Sequence, residues 1–205
     1  AFDFPLRWAT VGVLAGEENG TTGRPASTLN EFWAYGAHTD VYRPGAVLNM
    51  MLGNHDFVRY GDLLQRVGLA EPDDEEWWAR HRLAFLVQAA YSGSVTRYYG
   101  EELGDEVPGF DQKVGGDCAS LGLCDDHVAR SSAKIPGVTV SEGQLAAQQK
   151  ELLQFHRELM AVRDRYAALS RGDRQHLYSD DGLYVDLKAH GSQRVVFAMN
   201  AGNEA

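Results

Sequence analysis

Asn54-His55-Asp56 puts an amide, an imidazole and a carboxylate on three successive residues. They follow the apolar run Ala46-Val47-Leu48-Asn49-Met50-Met51-Leu52, which Gly53 ends. That run is short and mostly apolar on both faces, as in a buried parallel strand. At the C-terminal rim of a parallel α/β barrel, such a trio stands where catalytic residues stand. The alternative is structural: Asp56 caps the next segment and His55 is a satisfied rim histidine. Tyr98-Tyr99-Gly100-Glu101-Glu102 holds the equivalent place after a further strand over Val95 to Tyr99. Its tyrosines offer flat amphipathic surfaces suited to sugar faces. The alternative there is core aromatics followed by solvated carboxylates, which is the reading favoured for Glu102. Asp125-Asp126-His127 could be a metal cluster, but no neighbouring ligand is specified and a solvated charged loop is the simpler reading. His38, His81, His156, His176 and His190 have no partner that the sequence names, and are read as surface or core residues.

The elements that must hold these groups alternate. Phe2 onward reads as a strand. Thr28-Leu29-Asn30-Glu31 is a capping box leading into a short helix whose apolar face is Leu29, Phe32 and Trp33. Acids from Asp73 to Glu76 complement the dipole of a helix running from about Glu75 to Tyr91. Leu83 to Ala90 is apolar nearly all round, so that helix is well buried. Gly93 breaks it. Ser141 and Gln144 form a second capping box, from which a long helix reaches about Leu169. Leu145, Leu152, Leu159 and Tyr166 recur at seven, with Phe155 and Val162 between, which predicts one continuous buried stripe. After Gly172 the period changes to two. Asp181-Gly182 and Gly191-Ser192 then read as hairpin turns joining strands near 175–180, 183–189 and 193–200.

Strand–helix units in this order fit a doubly wound sheet or part of an eight-fold barrel. No glycine-rich turn follows the first or second strand, so nothing points to dinucleotide binding. Three units cannot close a barrel, and both ends fall close to predicted strands. The expectation is therefore a piece of a longer polypeptide, with the missing part mainly before residue 1.

The 205 residues carry 19 basic and 29 acidic side chains, a net charge of −10, with 44% hydrophobic residues. That composition is globular. It argues against nucleic acid, whose phosphates need a cationic face. No apolar run approaches the ~20 residues of a membrane-spanning helix. Glu101 to Asp126 alone holds eight acids against one lysine, within a long irregular stretch from Gly100 to Val140. Such a loop is usually functional or disordered. Cys118 and Cys124 lie in it, six apart. Their irregular setting favours a local disulfide over two free thiols, which would require an oxidising compartment. Zinc does not fit, because the spacing is wrong and there is no second pair.

Leu52-Gly53-Asn54-His55-Asp56, with Arg59 three residues on, resembles the fourth signature region of the α-amylase family, glycoside hydrolase family thirteen. Tyr98-Tyr99-Gly100-Glu101-Glu102 resembles the family's eighth-strand segment, Phe2-Asp3-Phe4-Pro5-Leu6 its sixth strand, and Leu29 to Trp33 the helix after that. The long helix and the hairpins resemble the last barrel helix and the start of the small C-terminal β domain. Order and spacing agree over essentially the whole chain. Val95 stands where the family often has Pro, and the acidic insert with two cysteines is unusual. Ser131-Ser132-Ala133-Lys134-Ile135-Pro136 stands where the family often has a Pro-Met pair. These departures leave barrel and catalysis intact but assign no subfamily.

The resemblance implies an α/β fold. Residues 1–171 would be the C-terminal portion of a (β/α)8 barrel, about strands 6 to 8, and residues 172–205 the start of a C-terminal β-sandwich domain. It implies a retaining hydrolase of α-glucosidic bonds in starch, maltodextrins or cyclodextrins, whose nucleophile and general acid lie upstream of residue 1. Asp56 would be the catalytic carboxylate that stabilises the transition state. His55 would bind the same sugar, and Arg59 would contact substrate or hold the acidic site together. A transglycosylase of the same fold, or a catalytically silent binding or scaffold relative, are the alternatives. No cofactor or metal is assigned within this segment, although calcium is possible elsewhere in a full-length protein. The expected partner is an α-glucan, with no nucleic acid and no membrane. The expected location is periplasmic or secreted, with cytoplasmic as the alternative.

Overall fold

A computed structural model describes residues 1–36, 46–106, 130, 135 and 137–202. Cys118, Cys124, Asp125-Asp126-His127 and His38 lie outside the described residues. The fold is mixed α/β. The described residues form helices α1 (Phe4–Leu14), α2 (Thr28–Gly36), α3 (Tyr60–Arg66), α4 (Glu75–Ala90), α5 (Ala147–Arg165) and α6 (Ala167–Arg171) and two short parallel strands, β1 (Asn49–Met50) and β2 (Ser94–Val95). They end on an antiparallel sheet in the order β3 (Asp173–Ser179), β4 (Leu183–His190), β5 (Gln193–Asn200). No helix among the described residues is long and apolar enough to cross a membrane.

The parallel ladder is shorter than the apolar runs predict. Phe2 makes a single parallel bridge to Asn49, with Asn49 N–H donating to the Ala1 carbonyl at 3.0 Å and Asp3 N–H to the Asn49 carbonyl at 2.9 Å. β1 pairs with β2 through Asn49↔Ser94 and Met50↔Val95. The strand expected over Phe2 to Leu6 is thus corrected to one residue followed by a helix. Asp3 N-caps α1, its Oδ1 accepting from Leu6 N–H at 3.1 Å, and Pro5 sits in the first turn, where its missing N–H is harmless. The ladder at β1 likewise stops at Met50, yet Met51, Leu52 and Asn54 remain buried. An apolar run reports burial, and burial continues past the last ladder bond.

Trp77, Phe85 and Val87 on α4 meet Leu152 on α5, Leu14 on α1, and Leu63 and Leu64 on α3 in one apolar core. Arg163 of α5 ties the end of α4, its Nη1 donating to the carbonyls of Ala89 and Tyr91 at 2.7 Å each. Those carbonyls have no partner within their own helix. The long helix differs from expectation. Ser141 and Gln144 do bond to each other, Ser141 N–H and Oγ–H donating to Gln144 Oε1 at 2.8 and 2.9 Å, but they close a 3₁₀ turn over Glu142–Gln144. The α-helix starts at Ala147 and breaks at Tyr166. Leu152, Phe155 and Leu159 pack inward, while Val162 and Tyr166 are exposed.

The hairpins follow the sequence reading closely. The sheet is fastened to the rest by Trp33, which stacks on Tyr184 at 5.9 Å and 8° and tilts against Phe197. Backbone bonds from Ala26 and Ser27 to the carbonyls of Asp181 and Asp180 add to this.

Candidate functional site

The turn after β1 is built by Asn54. It is buried, its Oδ1 accepts from Asp56 N–H at 2.7 Å, and its amide nitrogen reaches Met51 Sδ at 3.3 Å. An Asn side chain that folds back on its own backbone in this way fixes a tight turn. Below the turn, buried Arg7 donates through Nε to the Leu52 carbonyl at 2.7 Å, and its guanidinium lies 4.7 Å from the Phe57 ring centroid. The turn throws the next two side chains outward. His55 is 66% and Asp56 52% exposed at the side chain, with His55 Nε2 3.2 Å from Asp56 Oδ1. Arg130 comes from far along the chain to place Nη2 3.5 Å from the same oxygen and to donate through Nε to the His55 carbonyl at 3.1 Å. Asp56 does not cap α3, because the residue before that helix is Arg59. The result is an open carboxylate flanked by an imidazole and a guanidinium. It can accept hydroxyl hydrogen bonds or stabilise positive charge.

Arg59 is placed differently. Its side chain is fully buried. Nη1 donates to the Tyr99 carbonyl at 2.6 Å and lies 3.9 Å from Asp105 Oδ2. The guanidinium sits 5.0 Å from the Tyr98 ring centroid and 4.8 Å from that of Tyr99. It therefore joins the segment after β1 to the segment after β2. The two tyrosines touch at their hydroxyls, 3.2 Å apart, and remain partly exposed. Burial, then the hydrogen bond to Tyr99, pushes the Tyr98 hydroxyl up to about 12. Among the described residues no group of three or more His, Cys, Asp or Glu side chains could hold a metal ion.

The structure brings Asn54, His55 and Asp56 together in one turn and brings Tyr98 and Tyr99 alongside through Arg59. Three members of this neighbourhood escaped sequence reading. Arg7 and Arg130 lie far away in the chain, with no local signal. Glu101, without a role of its own in the sequence reading, is 3% exposed. Two histidines for which the sequence names no partner have one. His176 Nδ1 lies 2.9 Å from Asp186 Oδ1 in the C-terminal sheet, and His81 Nδ1 lies 2.8 Å from the Trp77 carbonyl.

Comparison with known proteins gives a consistent picture. No family model matches the chain. A cyclomaltodextrinase of Geobacillus thermopakistaniensis is 30% identical over 129 residues, 60% of this chain and 17% of that protein. The crystal structure of AmyP in complex with maltose superposes with a TM-score of 0.89 at 45% identity, over 98% of this chain and 39% of AmyP. The α-amylase of Geobacillus thermoleovorans, complexed with acarbose, shares the fold with a TM-score of 0.70 at 21% identity, over 99% of this chain and 37% of that one. The chain thus spans about two-fifths of the length of these solved neighbours.

Proposed function

We propose, from the chain's membership of the α-amylase family, glycoside hydrolase family thirteen, that the protein carrying it is a retaining hydrolase of α-glucosidic bonds in starch, maltodextrins or cyclodextrins. Residues 1–171 form the C-terminal portion of its (β/α)8 barrel, and residues 172–205 begin its C-terminal β domain. In support, Phe2, β1 and β2 lie side by side, parallel and in chain order. Both polar segments, Asn54 to Asp56 and Tyr98 to Glu102, leave the same end of those strands.

In this reading the nucleophile and general acid belong to upstream strands. Asp56 faces the reacting sugar. As the glycosidic bond breaks, positive charge builds on the ring, and a fixed carboxylate that meets it lowers the barrier because the attraction is stronger in the transition state than in the ground state. His55 contributes a hydrogen bond to the same sugar. Arg59 acts as a positioning residue, holding the tyrosines against the turn from a buried site that keeps it off the substrate.

The observation that carries the proposal is the outward, half-exposed Asp56 beside His55 at the exit of β1. The test is Asp56→Asn in the full-length protein, with turnover measured on maltooligosaccharides. The expected result is a fall in kcat of roughly 10³-fold or more, with the fold intact by circular dichroism. Turnover close to wild type would refute the assignment.

A further inference from the structure

A buried acid stands directly behind the proposed catalytic turn. Glu101 opens the 3₁₀ turn after Gly100, which takes a left-handed φ of 88°. Its Oε2 accepts from Tyr98 N–H at 3.2 Å. Its Oε1 is buried and has no hydrogen-bond partner among the described residues. That oxygen occupies the space beside Gly53 that a side chain would need, since an added Cβ would lie 2.9 Å from it. Gly53 is the residue from which the Asn54-His55-Asp56 turn springs. The guanidinium groups of Arg97 and Arg59 act on the carboxyl from one side of the charge balance and Glu102 from the other, while Asp105 faces Arg59.

We infer that Glu101 is a positioning residue for the catalytic turn: its carboxyl fills the space beneath Gly53 and fixes how Asn54, His55 and Asp56 stand above the parallel strands. This rests on the reading of Asp56 given above. The group touches no substrate and acts through the backbone of Gly53. A displacement of about 1 Å at a reacting group can cost 10²-fold in rate, so a prop of this kind is felt in catalysis before it is felt in binding. Burial lifts the Glu101 carboxyl to about 7, against the opposing pull of Arg97, the Tyr98 N–H and Arg59. Through the mildly acidic range the prop is therefore a neutral acid. As pH rises past about 7 it becomes an anion with one oxygen unpaired against Gly53.

The full-length protein tests this with Glu101→Gln, which keeps the shape without the charge, and Glu101→Ala, which leaves a hole. At pH 6, Glu101→Gln should keep kcat within about threefold of wild type, whereas Glu101→Ala should lower kcat at least ~10-fold with KM changed less than about threefold. Affinity for a positively charged sugar-ring mimic should fall by the same factor in Glu101→Ala, with affinity for maltose unchanged. Between pH 6 and pH 8 the ratio of Glu101→Gln to wild-type kcat should rise. A folded Glu101→Ala enzyme with wild-type kcat and mimic affinity overturns the inference. Should that variant not fold, a Glu101→Gln ratio that is flat between pH 6 and pH 8 overturns it instead. Loss of activity in Asp56→Asn beside an unaffected Glu101→Ala sinks this inference alone. Wild-type turnover in Asp56→Asn sinks it together with the reading beneath it.

Discussion

At Arg59 one guanidinium bonds the Tyr99 carbonyl at 2.6 Å, lies over two tyrosine rings and is closed off from solvent. A planar cation can meet all of these at once. An ammonium on a flexible stem cannot, because it has neither the flat face nor the fork. Arg59→Lys should therefore destabilise the protein by about 1–3 kcal/mol, read as a lower denaturant midpoint with unchanged slope. A midpoint equal to wild type would mean that the rings and the carbonyl do not depend on the fork. The ordered family resemblance made Asn54, His55 and Asp56 legible as a candidate site, whereas three unlike polar groups after a buried apolar run left a structural reading open. The same reading did not show which polar groups go inside. Arginine and glutamate are ordinarily exposed residues. Arg7, Arg59 and Glu101 are buried because distant segments close over them, and Glu101 in particular because a glycine, Gly53, leaves room for its carboxyl.

At the level of elements, periodicity carried most of the fold, and its failures have geometric causes. The helix over Glu75–Ala90 and the three hairpin strands fall where pattern and turn residues put them. The stripe at sevens along α5 does not stay buried, because an α-helix drifts ~20° for every seven residues. By Val162 the side chains have turned toward solvent, and Tyr166 falls outside the helix altogether. The short α3 had no apolar period long enough to announce it. These placements separate two substitutions that the sequence would treat alike. Leu152→Ala removes a fully buried side chain from the contact between α5 and α4 and should lower stability by about 2–5 kcal/mol. Val162→Ala, ten residues further on and exposed, should stay within about 0.5 kcal/mol of wild type. Equal losses in thermal denaturation would mean that the stripe is continuous after all.

Over the whole molecule, the core is apolar at its centre but holds titratable groups at its joints, and these set its response to pH. His81 lies among the rings of Trp77, Tyr60 and Phe85, fully buried, and burial lowers it to about 4. A group depressed in the folded state contributes stability that is complete above its unfolded value, near 6.5. That contribution is lost as pH falls toward the folded value, because the unfolded chain takes the proton first. For His81 the window runs from about 6.5 down to about 4. Glu101 has the opposite sign. Raised to about 7, its contribution is complete below 4.5 and fades as pH rises through 7. His156, lowered to about 4 by burial and then by Arg97 and Arg157, adds to the acid-side loss. Replacing His81 by Phe keeps an aromatic ring in that cluster and removes its proton site. The variant gives up the bond to the Trp77 carbonyl, so its baseline stability should fall, but its stability should decline less steeply between pH 7 and pH 4.5. The slope removed is worth roughly 2–3 kcal/mol across that interval. Parallel melting-temperature profiles for wild type and His81→Phe would show that His81 binds its proton as readily folded as unfolded, and would place the acid sensitivity elsewhere in the molecule.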